Sequence, residues 1–364
     1  MKHKRYLVWI IALILIFSVL LAGGCRNTEP TIKTNSAAGM RTITDCTGRQ
    51  VKIPNQVNRI ACLCPESGYI LAMLGQGDKI AAVTGGLKRD VIFTDMYPHI
   101  KELPVPKSNE SINIEELIRS KPDVVFVKDD TMRSKAEVEK LNISHIPFLA
   151  VTYKDTEQQK SAVEMIGQVV GSEHKAKQYR DYYDRLVNLV EKQVGDIPMK
   201  ERVRIYHSVN EAIRTDTKGS LAADWTRIAG AYNVSVNEDL KQIEGNYFAS
   251  LEQILLWDPE YIFVNDPLVV KYIMSNNQWS SLKAVKSGKV LPLPTGISRW
   301  GHPSSPETPL VILWMAKTLY PDKFSDVDME AEVKYFYQEF FAYQLSDQDI
   351  NKILSGAGMR KPKG

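Results

Sequence analysis

Groups that bind carboxylates or metals cluster near the end of the chain, in Ser298-Arg299-Trp300-Gly301-His302. An arginine guanidinium holds a carboxylate through two parallel hydrogen bonds, and Arg89 provides a second such group. The imidazoles of His207 and His302 suit iron or cobalt, although a solvated or structural hydrogen-bonding role is the ordinary alternative for each. These residue types together indicate recognition of a small molecule that carries carboxylates, a metal, or both.

Two aromatic residues and two charged residues occupy comparable places in the chain. Tyr153 and Trp300 offer ring faces against which a flat or aromatic ligand can lie. Glu66, Lys128 and Tyr153 each follow a predicted strand. In open α/β sheets, ligands bind beyond the carboxyl ends of the strands. The expected ligand-binding residues are Glu66, Arg89, Lys128, Tyr153, His207, Arg299, Trp300 and His302.

The elements that must position these residues include a fragment that occurs twice. Residues 115–129 and 252–266 each consist of a short helix led by a glutamate, a proline stop, and an apolar run that ends at an aspartate. Such a run suits a strand buried on both faces of a parallel sheet. The period is too long for a solenoid, so it favours duplication of a domain. The alternative is that helix, proline and strand are common punctuation in any α/β protein.

The order of elements predicts two α/β lobes. An alternating hairpin spans Arg41–Pro54, and helices and strands then alternate in the order of a parallel sheet. We expect residues 42–157 to form the N-terminal lobe and residues 198–364 the C-terminal lobe. About 340 residues beyond the leader also exceed what one hydrophobic core usually accommodates.

A long helix is predicted between the two lobes. Ser172–Val194 contains neither Gly nor Pro, and its apolar residues recur at helical spacing. Its length is roughly 34 Å at 1.5 Å per residue, which is enough to bridge two lobes. We expect residues 158–197 to form a helical linker that contains this bridging helix. A rigid bridge permits only a small hinge motion, so the ligand cleft between the lobes should be largely preformed.

The N-terminus has the layout of a secretory signal. A basic start precedes the apolar segment Tyr6–Ala22, and two glycines lead to Cys25. A cysteine after small residues resembles a lipobox, in which the thiol is acylated and anchors the protein to membrane lipid. We therefore predict a lipoprotein signal peptide at 1–24 and a flexible tether at 25–41. An uncleaved membrane anchor is the alternative, since roughly 20 apolar residues span a bilayer.

Charge and motif content exclude several functional classes. Three of the 46 Lys and Arg residues precede Cys25, which leaves 43 basic against 43 acidic residues. The mature part is therefore neutral overall, without the basic stripe typical of nucleic-acid binding. There is no Gly-x-Ser-x-Gly elbow, P-loop or His-Glu-x-x-His motif, so we expect a protein that is not an enzyme.

Three cysteines follow Cys25, at positions 46, 62 and 64. An odd number in an extracytoplasmic protein leaves at least one unpaired. Cys62 and Cys64 point to the same face of a strand and cannot easily bond to each other. A bridge from Cys46 to either of them is left open.

Several short motifs follow one another in a consistent order and spacing. They are Thr44-Asp45 to Gly48-Arg49 with Arg59-Ile60, Leu74-Gly75 with Gly77-Asp78-Lys79-Ile80, Asn113-Ile114-Glu115 before Lys121-Pro122-Asp123, Ser250-Leu251-Glu252 before Asp258-Pro259, and Ser305-Pro306-Glu307. In this order the chain after the tether resembles the class III periplasmic binding proteins, which deliver iron-siderophores, haem and cobalamin to ABC importers.

The resemblance implies an α/β protein of two Rossmann-like lobes, joined by a single long bridging helix, with a ligand cleft between them. It implies an extracytoplasmic, lipid-anchored protein that captures an iron chelate, either a siderophore or haem, or a corrinoid. The partners would be an ABC permease and its ATPase. No resident cofactor is expected, and a metal would arrive within the ligand, with His207 and His302 as its possible protein ligands. The alternative ligand is a bare or simply chelated transition metal such as nickel.

The resemblance also implies a role for Glu115 and Glu252, which start equivalent helices of the two repeat copies. In that family the two positions, one in each lobe, form salt bridges with arginines of the permease. A carboxylate at a helix N-terminus is also stabilised by the helix dipole, by about 0.3–1 kcal/mol. Helix initiation is therefore the alternative role for each glutamate.

Overall fold

The computed structural model describes residues 39–108, 111–356 and 360–361. Cys25, the predicted signal segment and most of the predicted tether lie outside these residues. The first β-strand begins at Met40. Among the described residues, no helix combines the length and the apolar character needed to cross a membrane.

The first lobe contains a four-stranded parallel sheet and two antiparallel ribbons. Its strands are β1 Met40–Thr44, β2 Gln50–Pro54, β3 Ile60–Cys62, β4 Ile80–Ala82, β5 Lys107–Ser108, β6 Ser111–Ile112, β7 Val124–Val127 and β8 Phe148–Ala150. The parallel sheet has the order β4-β3-β7-β8. Strand β7 is Val-Val-Phe-Val and is buried throughout, as its apolar composition predicts for a strand covered on both faces.

The predicted hairpin is confirmed, since β1 and β2 pair antiparallel with Thr44 opposite Gln50. Asp45 organises its turn by accepting hydrogen bonds from the amides of Thr47 and Arg49 at 2.9 and 3.1 Å. The other carboxylate oxygen of Asp45 accepts from the Ala150 amide at 3.1 Å. This carboxylate therefore fastens the hairpin to the edge of the parallel sheet.

The second lobe repeats the parallel sheet and adds a ribbon. Its strands are β9 Arg204–Ser208, β10 Arg214–Thr215, β11 Tyr232–Asn233, β12 Lys241–Ile243, β13 Asn246–Phe248, β14 Tyr261–Val264 and β15 Val290–Pro292. The parallel sheet has the order β11-β9-β14-β15, and a separate antiparallel sheet has the order β10-β13-β12. The sequence pattern did not predict this second sheet, because strands of two or three residues are too short to show a period.

Helices cover the sheets and connect the lobes. They are α1 Pro65–Met73, α2 Val91–Met96, α3 Ile114–Arg119, α4 Asp129–Arg133, α5 Lys135–Ile143, α6 Thr156–Val170, α7 Glu173–Val194, α8 Leu221–Ile228, α9 Leu251–Trp257, α10 Pro267–Ser275, α11 Lys283–Lys286, α12 Thr308–Leu319, α13 Met329–Phe341 and α14 Asp347–Leu354. The alternation of these helices with parallel strands confirms the predicted α/β fold class.

The repeated fragment forms equivalent elements in the two lobes. Its first copy supplies α3 and β7, and its second copy supplies α9 and β14. Each strand lies between two neighbours of its parallel sheet, β7 between β3 and β8, and β14 between β9 and β15. The two helices also begin alike. The side chain of Asn113 accepts a hydrogen bond from the backbone amide three residues later at 3.1 Å, and the side chain of Ser250 does the same at 3.2 Å.

The predicted bridging helix is α7, which packs against α6 on one side and α12 on the other. Its buried face carries Tyr179, Tyr183, Leu186 and Val190. The Tyr179 hydroxyl donates to the Pro306 carbonyl at 2.7 Å. The helix therefore holds the segment that leads into α12 as well as the apolar core between the lobes.

The three described cysteines are free thiols. Burial raises the pKa of Cys46 to about 11 and that of Cys62 to about 12. Cys64 lies in the same apolar surroundings, and its Sγ is 3.4 Å from the Ser67 hydroxyl. Cys46 therefore forms no bridge in this structure. Cys62 and Cys64 are small buried side chains, and Cys46 is half-buried.

Candidate functional site

The candidate site lies where the carboxyl ends of both parallel sheets face each other. Glu66 follows β3, Lys128 follows β7, and Tyr153 comes three residues after β8. From the second lobe, the loop at 298–304 follows β15. The positive charge of Lys128 contributes to lowering the pKa of His302. A side-chain hydrogen bond from Ser304 opposes the rise in the pKa of Glu66. The structure therefore brings the predicted loops of the two lobes together.

A buried carboxylate, Glu66, and the neighbouring Lys128 lie on the first-lobe side of this site. Glu66 occupies the first turn of α1 and is 2% exposed. Burial raises the pKa of Glu66, while the neighbouring Lys128 opposes this effect. The negative charge of Glu66 raises the pKa of Lys128, although burial acts in the other direction. The Oε2 atom of Glu66 is buried and has no hydrogen-bond partner among the described residues, which is uncommon for a buried polar atom.

Two arginines predicted for the site lie in one electrostatic neighbourhood. Burial lowers the pKa of Arg299 to about 10, and the positive charge of Arg360 acts in the same direction. Burial and the charge of Arg360 likewise lower the pKa of Arg89. Among the described residues, neither Arg89 nor Arg299 forms an ion pair with a carboxylate. The Arg299 guanidinium instead donates to the side-chain oxygen of Asn210.

A buried carboxylate accompanies these cations. Asp90 is 1% exposed, pairs with the Arg360 guanidinium, and accepts a hydrogen bond from the Tyr69 hydroxyl at 2.5 Å. Burial raises the pKa of Asp90 to about 6, against the opposing charge of Arg360. Asp90 and Asp266 both act on the guanidinium groups of Arg89, Arg299 and Arg360. Guanidinium groups therefore outnumber these carboxylates, which leaves donors for an anion.

His302 is a neutral hydrogen-bonding group in this site. Burial lowers its pKa well below the ordinary value, and the charges of Arg299 and Lys128 act in the same direction. Its Nδ1 atom accepts a hydrogen bond from the Ser304 amide at 3.3 Å. The ring proton therefore lies on Nε2, which makes that atom a donor suited to an anion.

His207 lies deeper than the loops. It is fully buried in β9, and its Nδ1 atom is 2.6 Å from the carboxylate of Asp216. Its Nε2 atom has no hydrogen-bond partner among the described residues. A Cβ atom added to Gly301 would lie 3.4 Å from Nε2. Gly301 thus covers this nitrogen, and a ligand reaches His207 only if the loop moves.

Trp300 and Tyr153 are placed differently from each other. Trp300 is fully buried and packs in the large core beneath its own loop. Tyr153 is partly exposed beside that core, and burial of its hydroxyl raises its pKa well above the ordinary value. The structure therefore places the Trp300 indole behind the loop, whereas its neighbour Arg299 stays accessible.

Gly301 explains why the side chain of Trp300 is buried while that of its neighbour Arg299 is accessible. It has a φ of 74°, in the left-handed region that favours glycine. A Cβ atom there would lie 2.6 Å from Leu293 and 3.1 Å from the Trp225 ring. The chain can turn sharply at this point and approach the core closely, which directs Trp300 inward.

Sequence reasoning missed several residues of this neighbourhood. Asp90, Tyr69, Asn210 and Arg360 lie in or next to the predicted loops only after the chain has folded. Asp90 directly follows the predicted Arg89, so adjacency was the one signal available for it. Arg360 had no such signal, because it follows the last helix in a basic segment near the C-terminus.

The two predicted docking glutamates lie on the protein surface. Glu115 and Glu252 are exposed in the first turns of α3 and α9. Each has an exposed apolar neighbour one turn along its helix, Ile118 at 48% exposure and Leu256 at 84%. An acidic group beside an exposed apolar side chain is a composition suited to a protein interface.

Comparison with known proteins relates this geometry to characterised folds. The molybdate-binding protein MolA of Haemophilus influenzae is 29% identical over 331 residues, which cover 84% of this chain and 92% of MolA. The structure of MolA bound to molybdate has a TM-score of 0.74 at 28% identity, covering 84% of this chain and 99% of that one. It supports the two-lobed fold with a ligand cleft.

Two further relatives are also described as binding proteins. YvrC of Bacillus subtilis, an uncharacterised ABC transporter substrate-binding lipoprotein, is 26% identical and covers 89% of this chain and 99% of its own length. The vitamin B12-binding protein of Vibrio cholerae is 22% identical over 240 residues, or 65% of this chain and 81% of that protein. The family described as periplasmic binding protein matches residues 60–295. Since this match spans more than half of the chain, the protein belongs to the class III periplasmic binding protein family of ABC transporters.

Proposed function

We propose that this protein is the extracytoplasmic substrate-binding component of an ABC importer for an anionic, metal-containing ligand. One observation carries this proposal. Arg89 and Arg299 face the cleft neighbourhood without a carboxylate partner among the described residues, and burial lowers the pKa of both. A partly buried cation without an ion-pair partner is unfavourable in the empty protein, so an incoming anion gains the interaction that is missing.

The anion can be of two kinds that share this chemistry. A tetrahedral metal oxyanion would accept N–H donors from the arginines and from Nε2 of His302, and the MolA relative is a molybdate-binding protein. The sequence resemblance predicts an iron chelate, either a siderophore or haem. The carboxylates of such a chelate would accept paired hydrogen bonds from the same guanidinium groups. We favour the oxyanion, because it needs only hydrogen-bond donors such as the arginines and His302. A flat or aromatic ligand would use the ring face of Trp300, but that indole is fully buried.

The other ligand classes receive less support from the donor set. Among the described residues, no three His, Cys, Asp or Glu side chains lie close enough together to hold a metal ion. The relative that binds vitamin B12 matches this chain at 22% identity, and a corrinoid would need a broad apolar contact surface. Nickel and cobalamin therefore serve as comparison ligands rather than as the proposed cargo.

A binding panel tests the proposal. The purified mature protein would be titrated calorimetrically with molybdate, tungstate, ferric citrate, haemin, cyanocobalamin and nickel chloride, with thermal unfolding measured in parallel. A ligand present at 100 times its Kd stabilises the folded state by about 2.7 kcal/mol. We expect molybdate or tungstate, and otherwise ferric citrate, to bind and stabilise. Binding of nickel or cobalamin alone would overturn the anionic assignment.

The remaining parts of the proposal concern location and partners. We propose that acylated Cys25 tethers the protein to the membrane outside the cytoplasm, which agrees with the description of YvrC as a lipoprotein. We also propose that Glu115 and Glu252 dock the two lobes onto the permease, which works with its ATPase. Their exposure at equivalent helix starts supports this role.

A further inference from the structure

The chain end returns to the first lobe beside the candidate site. Arg360 forms an isolated antiparallel bridge with Asp90. The amide of Lys361 donates to the carbonyl of Arg89 at 2.8 Å. The segment is thus paired with the very residues that carry one of the predicted ligand-binding arginines, although it lies outside the 60–295 range of the family match.

The Arg360 side chain is held in a defined orientation. One nitrogen of its guanidinium pairs with Oδ1 of Asp90, and the other donates to the carbonyl of Gly86 at 3.4 Å. Asp90 is itself fixed by the Tyr69 hydroxyl on its second oxygen. The side chain of Arg360 is 15% exposed. Tyr69 also forms a hydrogen bond with Arg360. A guanidinium has five N–H donors, so these contacts still leave donors for a ligand.

The free donors lie in the same electrostatic neighbourhood as the two predicted arginines. Burial opposes the charge of Arg360, but the nearby Tyr69 and Asp90 outweigh it and raise its pKa. Arg360 in turn contributes to the lowered pKa values of Arg89 and Arg299. Asp90 and Asp266 act on all three arginines, so three positive charges face these two carboxylates. The excess positive charge favours an anion that bridges the arginines.

We infer that Arg360 is a ligand-binding residue, which completes with Arg89 and Arg299 a three-arginine site for an oxyanion or a carboxylate. Asp90 and Tyr69 position it, while the remaining N–H groups contact the ligand. This inference rests on the proposed function, because it names a further donor at the same site. It also assigns a role in recognition to a segment that follows the last helix.

A purely structural tie between the chain end and the first lobe is the competing role, and two substitutions separate the roles. Arg360→Lys keeps a positive charge for Asp90 but removes the planar fork, whereas Arg360→Gln removes both. Lys361→Gln is the matched control, because Lys361 is an exposed neighbour that contacts Arg89 through its backbone amide. Calorimetric Kd values for molybdate and ferric citrate, and the Tm of the empty protein, would be measured for all variants.

If Arg360 contacts the ligand, Arg360→Gln should weaken binding at least about tenfold and Arg360→Lys about fivefold. Lys361→Gln should stay within about twofold of the unchanged protein. Unchanged Kd values in both Arg360 variants, with or without a lowered Tm, would overturn the inference. If Arg360→Gln does not fold, Arg360→Lys decides. Failure of the unchanged protein to bind either anion would instead refute the proposed function, and this inference with it.

Discussion

Lys121 and Asp258 occupy the same place in the two copies of the repeat, and both adopt left-handed backbone conformations directly before a proline, with φ of 48° and 41°. The acidic residues that follow the two prolines, Asp123 and Glu260, also have equivalent roles. Asp123 accepts the amides of Asn58 and Arg59 at 2.7 and 2.9 Å, and Glu260 accepts the amide of Arg204 at 3.0 Å. Each carboxylate thus holds the start of the neighbouring strand, so the repeat is a structural duplication.

The duplication leads to a prediction about docking. Reversing both Glu115 and Glu252 to Lys should abolish transport while ligand affinity stays intact, because the two exposed carboxylates lie on surface helices and would meet like charges on the permease. Single reversals should be intermediate, and their effects need not add, since both residues serve one complex. Uptake and binding would be measured side by side for the unchanged protein, the two single variants and the double variant.

Glu339→Lys serves as the control for this charge reversal, because Glu339 is an exposed glutamate on α13. Its uptake should match that of the unchanged protein. Normal uptake by the Glu115/Glu252 double variant would return both glutamates to the role of helix starters.

A second prediction concerns the tether. Cys25→Ser should release the protein from membranes or leave its signal unprocessed, because the thiol that carries the lipid is lost. Membrane fractionation and the mass of the product would test this. A mature-sized product that remains in the membrane fraction would contradict lipidation at Cys25.

A third prediction concerns Arg299 and its buried neighbour. Arg299→Ala should weaken anion binding at least tenfold, about 1.4 kcal/mol, without lowering the stability of the empty protein, because Arg299 lacks a carboxylate partner. Trp300→Ala should instead lower the free energy of unfolding by about 3–5 kcal/mol, since it removes a fully buried indole. Chemical unfolding and calorimetry would separate the two effects.

Arg227→Ala provides the control for Arg299, because it removes an exposed arginine from α8. Its anion affinity should be unchanged. Retained affinity in Arg299→Ala would place the binding site elsewhere.

A fourth prediction concerns the pH dependence of stability. The pKa of Asp90 is raised from its ordinary value of 3.8 to about 6 in the folded protein. Between these values the folded state binds more protons than the unfolded state, so the contribution of Asp90 to the free energy of unfolding falls as pH rises from about 4 to about 6. Asp90→Asn should remove this part of the slope.

Urea unfolding at several pH values would test the Asp90 prediction through the difference between the two proteins, because other buried carboxyl groups titrate in both. Arg360, Tyr69, Arg299 and Arg89 face this carboxyl and remain in the variant. A difference that is flat with pH would show that Asp90 ionises normally in the folded protein.

A fifth prediction concerns the support of the Arg299 loop. The Tyr337 hydroxyl donates to the buried carboxylate of Glu307 at 2.5 Å and accepts from the Ile297 amide at 2.5 Å. Glu307 also accepts from the amide and hydroxyl of Ser298 at 2.9 and 2.7 Å. Tyr337→Phe should therefore lower stability by about 1–3 kcal/mol, because it leaves buried polar groups unpaired.

Tyr335→Phe is the matched control for Tyr337, since Tyr335 lies on the same helix and is 50% exposed. The control should change stability by less than about 0.5 kcal/mol. We also expect Tyr337→Phe to raise the Kd less than Arg299→Ala does. Equal stability of the two phenylalanine variants in urea unfolding would contradict the supporting role of Tyr337.

The sequence by itself determined the class of fold and the order of its elements. The apolar run Val124–Val127 became a fully buried central strand, and the uninterrupted amphipathic stretch became helix α7. These elements depend on local periodicity and on proline or glycine stops, which act within a few residues. The same signals placed Glu115 and Glu252 at equivalent helix starts.

Only the tertiary structure decided which side chains share the candidate site. Arg360 meets Asp90 across 270 positions of sequence, and no local pattern encodes such a contact. Trp300 turns inward because Gly301 allows the chain to approach Leu293 and Trp225 closely. Burial and long-range pairing set both the orientation and the pKa of these groups, since each depends on the summed surroundings rather than on the neighbouring residues.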